Sequence, residues 1–263
     1  MKGNFPRFVL AAPQSGSGKT TMTCALLQAF VQRGLKTGAF KCGPDYIDPM
    51  FHSKIIGAKS RNLDLFFVGE ERLKGLFCKA AADCEISVIE GVMGYYDGLG
   101  GTTTRASTWA VARATQSPAL LIIDPKGASV SAAAQISGFL KFRENSGIRG
   151  VLLNRCSAMT AAMLTPVIEN ETGLKVYGYL PPMPECALES RHLGLVTAGE
   201  IADLKEKMQK LAAQAEKTLM LDEILSLAQE APPLEGQLPE IAPLNGASPK
   251  IAVALDEAFC FYY

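Results

Sequence analysis

Nowhere in this chain do eighteen apolar residues run together, so no segment reads as a membrane-spanning helix. Neither sign of charge is in excess: Lys and Arg together number 26, and so do Asp and Glu. That balance gives no basis for binding nucleic acid or an anionic membrane surface. Histidine is scarce. His52 and His192 are the whole supply and lie far apart, which argues against a histidine-rich zinc centre. The opening Met1-Lys-Gly-Asn-Phe-Pro6 is too short and too interrupted for a signal peptide. The seven cysteines are Cys24, Cys42, Cys78, Cys84, Cys156, Cys186 and Cys260, and none forms a C-x-x-C pair. An odd count in mostly apolar stretches reads as reduced, buried thiols in a cytoplasmic protein. What remains is an ordinary globular composition of 263 residues, 48% hydrophobic and 20% charged, long enough to bury a full core.

Apolar runs alternate with helical patterns along the chain. Strands are expected at 7–12, 37–41, 86–90, 119–123, 149–153 and 175–179. Helices are expected at 19–33, about 70–82, 105–115, 128–142, 157–171 and 198–216. Short, continuously apolar strands separated by helices predict an α/β fold, a mostly parallel sheet with helices on both faces. Ligands of such sheets bind beyond the carboxyl ends of the strands. One domain is expected over 1–230. Residues 231–249 are rich in Pro and Gly and read as a linker. Lys250-Ile-Ala-Val-Ala-Leu255 then reads as the first strand of a second domain, cut short over 250–263.

The densest motif follows the first strand. Ser15-Gly-Ser-Gly-Lys-Thr-Thr21 sits between a strand and a helix start, the setting in which a phosphate-binding loop carries meaning. Such a turn gathers backbone N–H groups at a helix N-terminus, where the helix dipole also favours an anion. Gly16 and Gly18 let the backbone close on phosphate oxygens with no Cβ in the way. Ser17 and Thr21 complete the expected nucleotide contacts. Lys19 supplies charge to the outer phosphates, and the Thr20 hydroxyl suits Mg²⁺. The pattern departs from the usual one at Pro13, where glycine is the rule.

Two further motifs end neighbouring strands. Phe40-Lys-Cys-Gly-Pro-Asp-Tyr-Ile-Asp-Pro-Met-Phe-His52 is stiffened by two prolines and a glycine. Lys41 is placed to reach phosphates from the side opposite Lys19. Asp45 and Asp48 offer the hard oxygen ligands that Mg²⁺ prefers alongside phosphate and water. Val88-Ile-Glu-Gly-Val-Met-Gly-Tyr-Tyr-Asp-Gly98 ends a buried strand on Glu90, where a carboxylate without a partner would be costly. Its partner is expected to be the metal or a lysine. Asp97 follows Tyr95 and Tyr96, which read equally as a wall against a large flat substrate or as half-buried aromatics. Beyond a later strand, Asn154 and Arg155 form a polar pair suited to an adenine edge. Arg191 and His192 lie in an expected loop, where Arg191 can grip a substrate carboxylate through two hydrogen bonds.

Taken together, Ser15–Thr21, Phe40-Lys-x-Gly-Pro-Asp-Tyr-Ile-Asp-Pro49, Arg61-Asn-Leu-Asp64, Glu90-Gly-Val-Met-Gly94 with Asp97-Gly98, and Arg191-His-Leu-Gly-Leu195 closely resemble the cobyrinate a,c-diamide synthase family. The resemblance runs from about residue 7 to the last residue. It implies a dethiobiotin-synthetase-like P-loop NTPase domain followed by a class I glutamine amidotransferase domain. It also implies ATP and Mg²⁺ as cofactors, a corrinoid tetrapyrrole as substrate, glutamine or ammonia as nitrogen source, and a cytoplasmic homodimer. In that reaction the c and then the a carboxylate becomes an acyl phosphate, which ammonia converts to an amide.

Carried over by position, Lys19, Thr20 and Lys41 handle phosphates. Thr20, Asp48 and Glu90 serve the metal. Asp45, Tyr46, Asp97, Arg191 and His192 face the substrate, and Asn154 reads adenine. Cys260 is in the wrong context for the amidotransferase nucleophile, so glutamine hydrolysis is not expected of this chain.

The residues leave other readings open. Hydrogenobyrinate and Ni-sirohydrochlorin a,c-diamide synthases share these motifs, and cobyric acid synthase amidates other side chains of the same ring. From another class, an ATP-switched assembly protein of the ParA/MinD type would carry a signature lysine where this chain has Gln14.

Overall fold

The computed structural model describes residues 1–46, 48, 49, 52–187, 198–239, 250–254 and 256. Its centre is a seven-stranded, wholly parallel sheet. The strands are β2 (Arg7–Ala11), β3 (Thr37–Cys42), β4 (Lys59–Leu63), β5 (Ile86–Glu90), β6 (Ala119–Ile123), β7 (Ile148–Asn154) and β8 (Lys175–Leu180), in the order β4-β3-β5-β2-β6-β7-β8. A separate antiparallel pair joins β1 (Lys2–Gly3) to β9 (Leu234–Glu235). The helices are α1 (Lys19–Gln32), α2 (Leu65–Ala81), α3 (Thr108–Ala114), α4 (Val130–Lys141), α5 (Ala158–Thr172), α6 (Ala198–Thr218) and α7 (Leu221–Gln229).

Side-chain alternation along each strand sorts the core into two layers. Val9 and Ala11 of β2, and Leu121 and Ile123 of β6, face the helices α2 to α5 through Phe77, Ala112, Ile136 and Leu164. Phe8 and Leu10 of β2, and Leu120 and Ile122 of β6, face the opposite side. There they meet Met22 and Leu26 of α1, Met208 and Leu211 of α6, and Ile224 of α7. Both faces are covered, which is why these strands read as unbroken apolar runs.

All six expected strands and all six expected helices are present, with ends moved by a few residues. Strands β1, β4 and β9 and helix α7 went unread. Strand β4 has the sequence Lys-Ser-Arg-Asn-Leu, with one apolar residue, and exists because it completes the edge of β3. Helix α7 follows α6 after a short break, where Leu219 bridges to Gly178. Helix α2 opens with a short turn, Leu65–Val68, set off from the expected helix by Gly69, whose φ of 71° and ψ of 173° are not helical. Asp64 accepts from the N–H groups of Phe66 (2.7 Å) and Phe67 (3.3 Å), and so caps the helix.

Arg7 is fully buried, yet its guanidinium donates to backbone carbonyls rather than to a carboxylate. The acceptors are Thr115 (2.7 Å), Phe5 (2.8 Å), Gln116 (3.3 Å) and Pro232 (2.8 Å). Burial pulls its pKa down to about 10, which leaves it charged at neutral pH. Pro232 belongs to the stretch whose composition reads as a linker. The first part of that stretch lies against the domain, with Ala231 and Leu234 buried and Gly236 N–H donating to the Met1 carbonyl. Residues 240–249, Cys260 and the rest of 257–263 lie outside the described residues. Residues 250–254 belong to no strand, and Ile251 is 84% exposed. A single strand with no neighbour to pair with gains neither ladder nor core.

Replacing Arg7 by Met would leave four carbonyl acceptors, two of them fully buried, without their donor. We expect unfolding in urea to show a loss of about 3 kcal/mol or more. A loss below about 0.5 kcal/mol, the size of an ordinary surface change, would contradict this clamp.

Candidate nucleotide-binding site

The sheet order puts β3, β5 and β2 side by side, so their carboxyl ends deliver three loops to one place. From β2 the chain turns through Gln14–Gly18 into α1. Gly18 occupies the N-cap with φ of 87° and no side-chain cap, so the first N–H groups of the helix are not satisfied by a capping side chain. The Ser17 hydroxyl donates to the Gln14 carbonyl at 3.0 Å. From β7, the buried Asn154 amide donates to the Ser17 carbonyl at 2.9 Å. A Cβ on Gly18 would stand 2.0 Å from Asn154 Nδ2. In this structure Asn154 therefore braces the loop. Arg155 next to it is exposed and pairs with Asp124 at 3.1 Å. Gly16 and Thr21 flank the loop as expected, Gly16 exposed and Thr21 half-buried in the first turn of α1.

Two lysines reach into this corner. Lys19 Nζ donates to the carbonyls of Met93 and Gln14. Among the described residues no carboxylate lies within ion-pair distance of it. Burial and then Lys41 lower its pKa to about 8. A buried cation held only by carbonyls is suited to an anionic ligand.

Lys41 is differently placed. It lies opposite Glu90 in the β3–β5 register, and its Nζ meets Glu90 Oε1 at 2.9 Å and Asp48 Oδ2 at 2.7 Å, with Asp45 Oδ2 at 3.8 Å. Asp45 also turns its own loop, accepting from Asp48 N–H at 3.0 Å. Its carbonyl receives the Asn62 amide at 2.7 Å. Tyr46, in the same loop, is 39% exposed.

Glu90 is where the loops meet. Its Oε1 accepts the Thr20 hydroxyl at 2.6 Å as well as Lys41. Its Oε2 faces His52 Nε2 at 3.4 Å. Burial alone would raise this carboxyl, but Lys41, His52 and the Thr20 hydroxyl outweigh it and hold the pKa below the usual range. Burial lowers the His52 imidazole, against the pull of Glu90, and pushes the neighbouring Cys42 thiol up to about 12.

These residues suit a divalent cation. Glu90 Oε2 is a buried carboxylate oxygen that accepts no hydrogen bond among the described residues, and the Thr20 hydroxyl meets the other oxygen of the same carboxylate. Among the described residues no three His, Cys, Asp or Glu side chains form a metal cage of their own. Mg²⁺ needs no such cage, since it takes most of its ligands from phosphate and water.

The loop after β5 folds back over the phosphate loop. Tyr95 N–H donates to the Ala12 carbonyl at 2.8 Å. Gly94 is required there, because a Cβ would come within 2.5 Å of the Pro13 carbonyl. Asp97 is exposed and accepts from Gly94 N–H at 2.8 Å. Of the two readings open for Tyr95 and Tyr96, the structure bears out burial and not the substrate wall. Both rings are buried and turned into the core, with hydroxyls donating to the carbonyls of Ser146 (2.5 Å) and Phe139 (2.6 Å). Two large rings on the residues that turn away from the strand end are worth more buried than exposed. Arg191 and His192 lie outside the described residues. Sequence reasoning missed His52 and Asn62. Their sequence signal was membership of the Phe40–His52 and Arg61–Asp64 motifs.

The family described as the CobQ/CobB/MinD/ParA nucleotide binding domain matches residues 8–196. A cobyrinate a,c-diamide synthase of Listeria monocytogenes is 40% identical over 98% of this chain and 57% of its own length. One from Salmonella typhimurium is 42% identical over 97% of this chain and 56% of its own length. The chain thus spans little more than half the length of these curated relatives. The solved MinC:MinD cell division protein complex of Aquifex aeolicus is similar over 85% of this chain and 94% of that one, at 14% identity and a TM-score of 0.49.

Replacing Gly18 by Ala should weaken nucleotide binding roughly tenfold or more, since positive φ costs a β-carbon about 1–2 kcal/mol before any clash with Asn154. Titration calorimetry showing unchanged affinity would contradict this loop geometry.

Proposed function

We propose, since this chain belongs to the CobQ/CobB/MinD/ParA nucleotide binding domain family, that it carries the ATP-dependent step of cobyrinate a,c-diamide synthesis. The observation that supports this most is the convergence of a P-loop threonine and the lysine of the Lys41–Asp48 segment on one buried carboxylate, Glu90. The similarity to curated cobyrinate a,c-diamide synthases supplies the substrate class, a corrinoid with side-chain carboxylates.

A carboxylate does not react with ammonia because its leaving group is poor. In the proposed reaction a substrate carboxylate oxygen attacks the γ-phosphorus of ATP. The bond to the bridging oxygen breaks, and ADP leaves. Ammonia then attacks the acyl carbon, phosphate departs, and the nitrogen loses a proton to give the amide. The first step brings two anions together, so charge must be screened. Lys19 lies in the phosphate loop for that purpose, and the N–H groups at the start of α1, which have no side-chain cap, add to it. Mg²⁺, when bound, would neutralise phosphate charge, with Thr20 and Glu90 as the residues to hold it.

Lys41 neutralises Glu90 and Asp48, which keeps the acidic loop folded against the nucleotide. Asp45, Tyr46 and Asp97, at the exposed rim, are assigned to the corrinoid, with Arg191 and His192. Asn154 both braces the loop and borders the expected base site with Arg155. No general base is required for a carboxylate nucleophile, and the described site holds one histidine, fully buried. Nitrogen enters as ammonia from glutamine or from free ammonium. A cytoplasmic homodimer completes the proposal. Among the described residues no helix is long and apolar enough to cross a membrane.

The test is ADP release with Mg²⁺-ATP and ammonium, with and without cobyrinic acid. We expect turnover that depends on the corrinoid, and a mass shift equal to two amides. Turnover indifferent to cobyrinic acid, hydrogenobyrinic acid and Ni-sirohydrochlorin alike would refute the assignment. So would normal turnover in Lys19→Ala.

A further inference from the structure

His52 has no part in the proposed chemistry, yet it is wholly buried against a charged carboxylate rather than an apolar wall. It opens a π-helical turn, His52–Ile56, directly after the loop that carries Asp45 and Asp48. Two neighbours in that turn, Ile55 and Ile56, are buried in the cluster that includes Met22 and Leu26 of α1. The His52 carbonyl accepts from Ala58 N–H at 3.1 Å. The turn is therefore fixed by apolar packing at one end and by a backbone hydrogen bond across it. The imidazole is held where its Nε2 edge meets Glu90 Oε2.

Glu90 is held through one of its two oxygens. Thr20 and Lys41 both engage Oε1, and a carboxylate gripped at one oxygen can still pivot about its terminal torsion, which is broad for Glu. The edge of His52 lies against the other oxygen.

We propose that His52 is a positioning residue for Glu90, fixing the carboxylate so that the Thr20–Glu90 pair is set for the cation of a metal–nucleotide complex. This rests on the reading of the site as one that binds ATP with a divalent ion. It predicts that loss of the imidazole harms the metal-dependent part of nucleotide binding and leaves the phosphate loop itself intact.

The test compares ATP affinity in Mg²⁺ and in EDTA for the wild type, His52→Leu and His52→Gln, with melting temperatures recorded alongside. His52→Leu keeps the volume and removes the polar edge, whereas the Gln amide reaches the place of Nε2. Groups that orient metal ligands typically contribute about 10–100-fold to metal affinity. The Mg²⁺-dependent gain in ATP affinity should fall by about tenfold or more in His52→Leu, with affinity in EDTA within about threefold, and His52→Gln should recover most of the gain.

A full Mg²⁺ gain in His52→Leu would overturn the role. So would an equal loss with and without Mg²⁺, or a Gln variant no better than Leu. If His52→Leu does not fold, His52→Asn replaces it. Its shorter amide cannot reach Glu90, so it should lose the gain that Gln keeps; equal behaviour of Asn and Gln would overturn the proposal. A wild-type chain with no Mg²⁺ gain at all would refute the metal reading of the site, and this role with it. A normal wild-type gain that survives in the variants would refute the role of His52 alone.

Discussion

A carboxylate at the end of a fully buried strand is the constraint around which the rest of this site is arranged. Glu90 has no contact with solvent, and an ionised group in that position costs several kcal/mol unless it is compensated. The sheet order provides the compensation. Because β3 lies next to β5, Lys41 falls opposite Glu90 in register, and their side chains meet at 2.9 Å. Because β2 lies on the other side of β5, the first turn of α1 brings the Thr20 hydroxyl to the same oxygen. One buried charge thus ties the phosphate loop to the acidic loop, two segments far apart in sequence.

That arrangement also explains the division of labour between the lysines. Lys41 is paired with Glu90 and Asp48, with Asp45 at 3.8 Å. Among the described residues Lys19 donates only to carbonyls, and its pKa is depressed by burial and by Lys41, which makes it a cation suited to an anion. Sequence alone assigned both to phosphates, because it shows that a lysine ends a strand but not which carboxylates the neighbouring strand places around it.

Much of the fold was legible for a simple reason: strands covered on both faces are continuously apolar, as in Ala119-Leu-Leu-Ile-Ile123. Edge strand β4 was not legible, since its residues earn their conformation from β3 rather than from hydrophobicity. The glycine positions of the phosphate loop were legible because only glycine tolerates φ near 87° at a helix start. The fates of Tyr95 and Tyr96 were not, because a Tyr-Tyr pair after a strand suits a substrate wall as well as a core. The choice turned on Ser146 and Phe139 supplying carbonyls for the hydroxyls. His52 was hidden for a similar reason: a lone histidine in sequence says nothing about the carboxylate it will face.

The claim that the buried Glu90–Lys41 pair joins the two loops is tested most directly by a double-mutant cycle on stability. The variants are Lys41→Met, Glu90→Gln and both together. Lys41→Met strands Glu90 and Asp48, at an expected loss of about 3 kcal/mol, whereas Glu90→Gln leaves Lys41 paired with Asp48 and costs less. The double variant removes both charges, so its loss should fall short of the sum by about 2 kcal/mol. Losses that simply add would show that the two side chains do not support one another, and would contradict the account at its base.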